Sequence, residues 1–418
     1  MLILCNFSVT NRTQLKIKVY ILIFLLPLLS KGWFAGAQSA DQRVKFDFYG
    51  DPVELVINPS LLIDFGSTIS EEAIHNFYEN IDNSQYESLI TSLKNCKTKY
   101  QLDDWLYYQL IRKTVQQISP KESNYYRYTL YKWFLLNKSG YDATLSLCDN
   151  QLLLYVQSNE EIYNIPFHTK NGKQYVCLNY HDYGGNIDFT KKNFTELPFY
   201  FSEGYKAFTY KITQLPEFKP DSYFEKDIKF NYYQTDYHFK VKLTPQVQTI
   251  FANYPVVDYS YYMNIPLSKE TYYSLIPELK KIMKGMNEKE GVDFLMRFTR
   301  YAFIFQPDIK VFGAEKRLSP EETLLYNNSD CEDRAALFFY LVKEIYNLPM
   351  LVLTYPKHVT IAVNFQKPIG NTITYNGKKY SVCEPTPQKR DLKLGELLPQ
   401  LRKTPYEIAY EYNPLKNQ

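Results

Sequence analysis

The sequence lacks the residue patterns behind several common kinds of site. Its 418 residues hold only six cysteines, five histidines and fifteen glycines. No two cysteines stand at Cys-x-x-Cys spacing and the histidines are not clustered, so no zinc ligand set is present. No glycine-rich phosphate loop occurs, and no cofactor or metal is expected. With 48 Lys+Arg against 45 Asp+Glu the formal net charge is +3 and there is no basic block, which argues against nucleic acid as a partner. Long apolar runs are scarce as well. The main one, residues 19–29, falls short of the about 20 residues needed to cross a bilayer.

That run has another reading. Lys16 and Lys18 precede it and Ala35-Gly36-Ala37 follows, the order of charged, apolar and small residues found in an export signal. Residues 1–37 are therefore expected to be a signal peptide, cut after Ala37 or, as second choice, after Ala40. The protein is then exported, periplasmic or secreted, with no stable membrane span after cleavage. The cut removes Cys5 and leaves Cys96, Cys148, Cys177, Cys331 and Cys383. An odd number leaves at least one thiol unpaired in a monomer, and Cys331 is the expected one.

What is abundant is aromatic side chain, with 40 Tyr, 27 Phe and 3 Trp. The length predicts more than one domain. Strands are expected at 44–48 and 53–57, then a helix opened by Ser70 ahead of Glu71 and Glu72. Helices follow at 103–118 and 126–136, and strands at 143–147, 151–156 and 174–178. Strict alternation over 227–234 and 237–243, broken near Thr235-Asp236, reads as an antiparallel pair, and residues 190–265 are expected to be mostly β. A helix spaced by Leu275, Leu279, Ile282 and Met286 requires Pro277 in its first turns or a kink. A second helix is expected over 292–305, and a long connection over 306–328.

Two stretches run in parallel. Residues 128–136 lie on 335–343 without a gap, the register continues through 142–155 and 349–362, and Asn171-Gly172-Lys173 resembles Asn376-Gly377-Lys378. The expected organisation is a first unit over 41–185, a β-rich domain over 186–265 and a second unit over 266–418, an α+β fold containing a duplicated helix–strand–strand unit. In this register Asn124 falls opposite Cys331, Gln151 opposite His358, and Asn179 near Glu384.

The second unit carries the chemistry. Ser329-x-x-Glu332 has the spacing of a capping box, which puts Cys331 in the first turn of a helix, where free amides and the helix dipole favour a thiolate. Asp330, Glu332 and Asp333 oppose this, so a histidine partner is needed. His358 follows a strand ending at Tyr355-Pro356 and opens another. Glu384 closes the strand 380–383, where Pro385 stops it, and would orient the imidazole. Cys383 reads as core. His75, His168, His181 and His238 show no comparable setting.

The segments Asp330-Cys331-Glu332-Asp333-Arg334, Tyr355-Pro356-Lys357-His358-Val359 and Cys383-Glu384-Pro385-Thr386 together resemble the transglutaminase-like superfamily, in its exported bacterial form. The resemblance covers roughly residues 290–410. It implies a papain-like fold and a triad of Cys331 as nucleophile, His358 as base and Glu384 in the third position, where Asp is commoner. It also implies a cysteine peptidase, amidase or transglutaminase acting on a peptide, protein or cell-wall amide; hydrolysis is favoured over amine transfer because no sequence feature marks an amine site. The first unit is then a degenerate copy. The competing reading is a binding or scaffold protein that keeps a vestigial triad.

Overall fold

The computed structural model describes residues 41–184, 187–189, 191–307, 310, 313 and 316–414; the expected signal segment lies outside them. An antiparallel pair, β1 (Gln42–Phe48) and β2 (Asp51–Ile57), opens the chain. Helices α1 (Glu71–Asp82), α2 (Glu87–Lys99), α3 (Asp104–Ile118) and α4 (Tyr125–Lys138) follow. Ser70 caps α1 by accepting from the Ala73 N–H, and Glu71 and Glu72 lie in its first turn as expected. β3 (Ala143–Cys148), β4 (Gln151–Ser158), β5 (Ile162–Tyr163), β6 (Phe167–Lys170), β7 (Lys173–Cys177) and β8 (Thr195–Glu196) complete the first half.

The centre departs from expectation. Among the described residues, strand structure between 190 and 265 is confined to β8, the hairpin β9 (Phe224–Tyr232) and β10 (Thr235–Leu243), and the short β11 (Val256–Val257). Most of the remainder is irregular or forms the short helices α5 (Gln246–Phe251) and α6 (Tyr259–Tyr262). The alternating pattern did locate the hairpin. Ile228, Phe230, Phe239 and Val241 are buried while their neighbours face out. Its turn is at Tyr233-Gln234, however, with Tyr233 at φ +55. Phe230 and Phe239 pack on Phe298 of the later helix Glu288–Tyr301, so the hairpin's apolar face is covered by a helix of the second half.

The second half contains α7 (Lys269–Ile282), α8 (Glu288–Tyr301), β12 (Ile304–Phe305), α9 (Pro320–Leu325), β13 (Asn328–Ser329) and α10 (Cys331–Tyr346). It ends in β14 (Met350–Tyr355), β15 (His358–Val363), β16 (Thr372–Tyr375), β17 (Lys378–Cys383) and β18 (Glu407–Tyr412). Pro277 lies well inside α7 rather than in its first turns. The helix expected to reach 305 stops at Tyr301, because Ile304 and Phe305 pair in parallel with Asn328 and Ser329. The connection that follows is not bare; α9 lies in it, capped by a reciprocal Ser319–Glu322 box.

The two large sheets repeat each other strand for strand. One runs β6-β7-β4-β3-β8 and the other β16-β17-β15-β14-β18, all antiparallel. Cys148 pairs with Gln151 across one tight turn, and Tyr355 with His358 across the other. The Asn171-Gly172 and Asn376-Gly377 turns both take positive φ at both residues, the backbone that an Asn-Gly hairpin supplies at least cost. Phe167↔Val176 corresponds to Thr372↔Ser381, and Tyr155↔Cys177 to Ala362↔Val382. The second unit is two residues shorter than the first between the two strands of this last pairing, and Cys177 matches Val382. Asn179 and Glu384 then occupy the same place, two residues beyond.

One face of each sheet joins a continuous core through Leu152, Leu154 and Val156 or Val359, Ile361 and Val363. The other faces carry small separate clusters, around Leu153 and Tyr155 in the first sheet and around Leu353 and Tyr355 in the second.

Candidate active site

Cys331 is the first residue of α10, and the device holding it there differs from the one expected. The cap is Asp330, whose Oδ1 accepts from the Glu332 and Asp333 N–H groups at 2.9 and 3.2 Å. Asp333 answers through Oδ2 to the Asp330 N–H at 3.1 Å. Ser329 cannot serve, because its backbone belongs to β13 and the helix starts one residue later than a Ser329 cap requires. The change has a chemical consequence. Two of the amides expected to favour a thiolate are taken by Asp330, while the Cys331 N–H has no hydrogen bond among the described residues.

The acidic neighbours have separate duties. Asp333 Oδ1 also accepts from the Leu318 N–H at 2.9 Å. Glu332 is held by Arg317 Nε at 2.7 Å and by the Tyr259 hydroxyl at 3.0 Å. Burial pushes the Cys331 thiol up to about 12, with the Asp330, Glu332 and Glu384 carboxylates adding to the shift and a hydrogen bond from the Val359 N–H opposing it. This is the reverse of the depressed pKa typical of a resting thiolate.

The Val359 N–H reaches the sulfur because the strand ladder leaves it free. Tyr355 and His358 close the turn, so backbone groups of Val359 point away from β14 and toward β17. The register Ile361↔Cys383 would place Pro385 opposite Val359, but β17 ends at Cys383 and proline bears no N–H.

His358 and Glu384 do meet. Nε2 of His358 lies 2.7 Å from Oε2 of Glu384, with the imidazole 13% exposed and the carboxylate 1%. The other carboxylate oxygen accepts from the Thr386 N–H at 2.9 Å. The Glu384 carbonyl accepts from Nε of the fully buried Arg300 at 3.2 Å, and from its Nη2. Arg300 is held in turn by Asp391 at 2.8 Å and the Leu392 carbonyl at 2.7 Å. Arg334, three residues after the thiol, donates to the carbonyls of Thr299, Arg300 and Phe303, locking α10 to the end of α8. Neither arginine was singled out in the sequence. Arg334 sits inside the Cys331 motif, whereas nothing local marks Arg300.

With Nε2 engaged by Glu384, Nδ1 is the imidazole nitrogen without a hydrogen bond among the described residues. No hydrogen bond among the described residues joins the Cys331 sulfur to this ring. The alternation that turns Val359 and Cys383 to the core puts His358 and Glu384 on the opposite face.

In the first unit the matching residues do other work. Asn124 caps α4 by accepting from the Arg127 N–H at 2.9 Å, and donates to the Phe65 carbonyl at 2.8 Å. Gln151 accepts from Lys192 at 3.0 Å. Asn179 binds the Leu152 carbonyl, the Leu154 N–H and the Tyr125 hydroxyl at 2.9, 2.8 and 2.7 Å. His181 proves to have a setting of its own, 3.0 Å from Asp182, a carboxylate also held by Lys121 at 2.6 Å. None of the five described cysteines forms a disulfide, and Cys383 is core as expected. Among the described residues no group of His, Cys, Asp and Glu is arranged to hold a metal ion, and no helix is long and apolar enough to cross a membrane. Comparisons with protein-family models, curated proteins and solved structures find no match to this chain.

Proposed function

We propose that this protein is an exported thiol enzyme of the transglutaminase-like kind that cleaves or transfers at an amide bond, with Cys331, His358 and Glu384 as its triad. The observation that carries the reading is the 2.7 Å His358–Glu384 pair, set beside a cysteine at a helix start. A buried carboxylate on Nε2 fixes the ring's tautomer and stabilises the imidazolium that forms when the thiol gives up its proton.

The thiol is held neutral at rest, so attack and deprotonation are coupled. His358 takes the proton as sulfur bonds to the carbonyl carbon, and the Cys331 N–H is placed to donate to the developing oxyanion. The proton then passes to the departing amine, and water resolves the acyl-enzyme by the reverse path. Hydrolysis is favoured over amine transfer, since no feature of the sequence marks a site for an acceptor amine.

A second reading, a binding protein with a vestigial triad, is favoured by the raised thiol pKa and by the missing sulfur–ring hydrogen bond. Labelling with iodoacetamide at neutral pH, read at Cys331 by peptide mass spectrometry, separates the two. The enzyme reading expects labelling at Cys331 that His358→Ala slows at least tenfold. Slow labelling unchanged by that substitution supports the vestigial site.

A further inference from the structure

A cavity of about 380 Å³ opens beside His358, between the β14–β15 turn and the 3-10 turn Pro399–Lys403. Its volume is near the small end for a ligand site, suited to a single residue rather than a folded segment. Leu398, Leu401 and the Tyr355 ring give it an apolar wall. Two polar groups on that lining are unspent. The Tyr355 hydroxyl is buried without a hydrogen-bond partner, in a residue only 7% exposed. Such a group is costly to leave unsatisfied. Lys357, exposed in the turn, has no ion pair among the described residues. Arg402 and Lys403, both exposed, add positive charge on the facing turn.

The position defines which end of a substrate lies here. In amide cleavage the general acid protonates the departing nitrogen, so space adjoining His358 belongs to the amine side of the bond. We propose that this cavity receives a chain-terminal residue with a bulky apolar side chain and a free α-carboxylate, making the enzyme one that removes such residues from the end of a peptide. The orientation rests on the thiol-enzyme reading above. The apolar side chain packs between Tyr355, Leu398 and Leu401, and the carboxylate takes Lys357 and the Tyr355 hydroxyl as donors.

Every atom of the step is then accounted for. A carbon–sulfur bond forms at Cys331 and the carbon–nitrogen bond breaks. The thiol proton crosses His358 to the nitrogen, and the terminal residue departs as a free amino acid. Water then cleaves the thioester and its proton returns through His358 to the sulfur.

Binding can be measured apart from turnover. N-acetylphenylalanine, its amide and N-acetylglycine are titrated by NMR against the mature chain and against the Lys357→Ala, Tyr355→Phe, Leu401→Trp and Cys331→Ala variants, each checked for fold by circular dichroism. The acid is expected to bind at least tenfold tighter than the amide or the glycine compound. Lys357→Ala should erase the preference for acid over amide, Leu401→Trp should abolish binding, and Cys331→Ala should leave it unchanged. Equal binding of acid and amide, or no binding of any probe at millimolar concentration, overturns the proposal. Intact binding without iodoacetamide labelling at Cys331 would instead sink the enzyme reading alone.

Discussion

The β3–β4 and β14–β15 hairpins have the same ladder and opposite ends. In the first, the Leu152 N–H donates to the half-buried Tyr183 hydroxyl at 2.9 Å. In the second, the matching Val359 N–H faces the Cys331 sulfur. At the place shared by Asn179 and Glu384, the first unit has an amide that satisfies its own backbone, and the second a carboxylate spent on an imidazole. One architecture thus serves either to close a strand end or to hold a histidine–carboxylate pair. The difference lies in a few side chains at the strand and helix termini, where backbone groups are left over.

The largest contrast is expected from the nucleophile. Cys331→Ala should abolish amide turnover and iodoacetamide labelling at this site, while Asn124→Ala in the first unit should leave kcat/KM unchanged. Turnover surviving Cys331→Ala would move the chemistry elsewhere. Next comes the base: His358→Ala should lower kcat/KM by about 10²–10⁴-fold, and Gln151→Ala should not alter it, both read with one amide substrate.

Glu384→Gln should cost at least about tenfold in kcat while leaving KM near the wild-type value, since it removes an orienting charge and not a substrate contact. An equal loss from Asn179→Ala would break the distinction between the two units.

Stability gives a further contrast. Lys132 of α4 is fully buried over the Tyr128 ring at 4.6 Å, with no salt bridge among the described residues, where the aligned residue of α10 is the buried Phe339. Burial lowers the Lys132 amine from its ordinary 10.5 to about 7. Between those values the unfolded chain binds the proton and the folded chain does not, so this residue makes stability rise with pH from about 7 to 10.5. Lys132→Met should therefore raise stability by a few kcal/mol at pH 7 and below, with the gain fading toward pH 10.5 in urea titrations. A gain that does not vary with pH would deny the buried amine this role. The smallest effect is Asn124→Ala, which should cost about 1 kcal/mol as the loss of a helix cap, measured by the same titration.

Much of this was legible locally. The Ser70 cap, the Asn-Gly turns and the alternation of the β9–β10 hairpin are each written in a few adjacent residues, and they appear where the spacing put them. Even the pairing of His358 with Glu384 could be inferred, because both stand at strand ends in a repeated unit. Local reading failed where two neighbours competed for one task. Ser329 and Asp330 are both capping residues, and only the pairing of β12 with β13 assigns Ser329 to a strand. It failed too for the centre, where aromatic residues packed on helices were read as strand.

By itself, then, the sequence determined most of the helices and strands outside the centre, the Asn-Gly turns and the placing of Cys331, His358 and Glu384 at element ends, because these depend on contacts a few residues apart. Tertiary structure alone decided the rest. It brought Arg300 to the carbonyl of Glu384 across 84 positions, left the Val359 N–H for the Cys331 sulfur by ending β17 early, and buried the thiol, a burial that together with nearby carboxylates pushes its pKa up. Those outcomes depend on which distant backbone groups remain unpaired once both sheets have closed on the shared core.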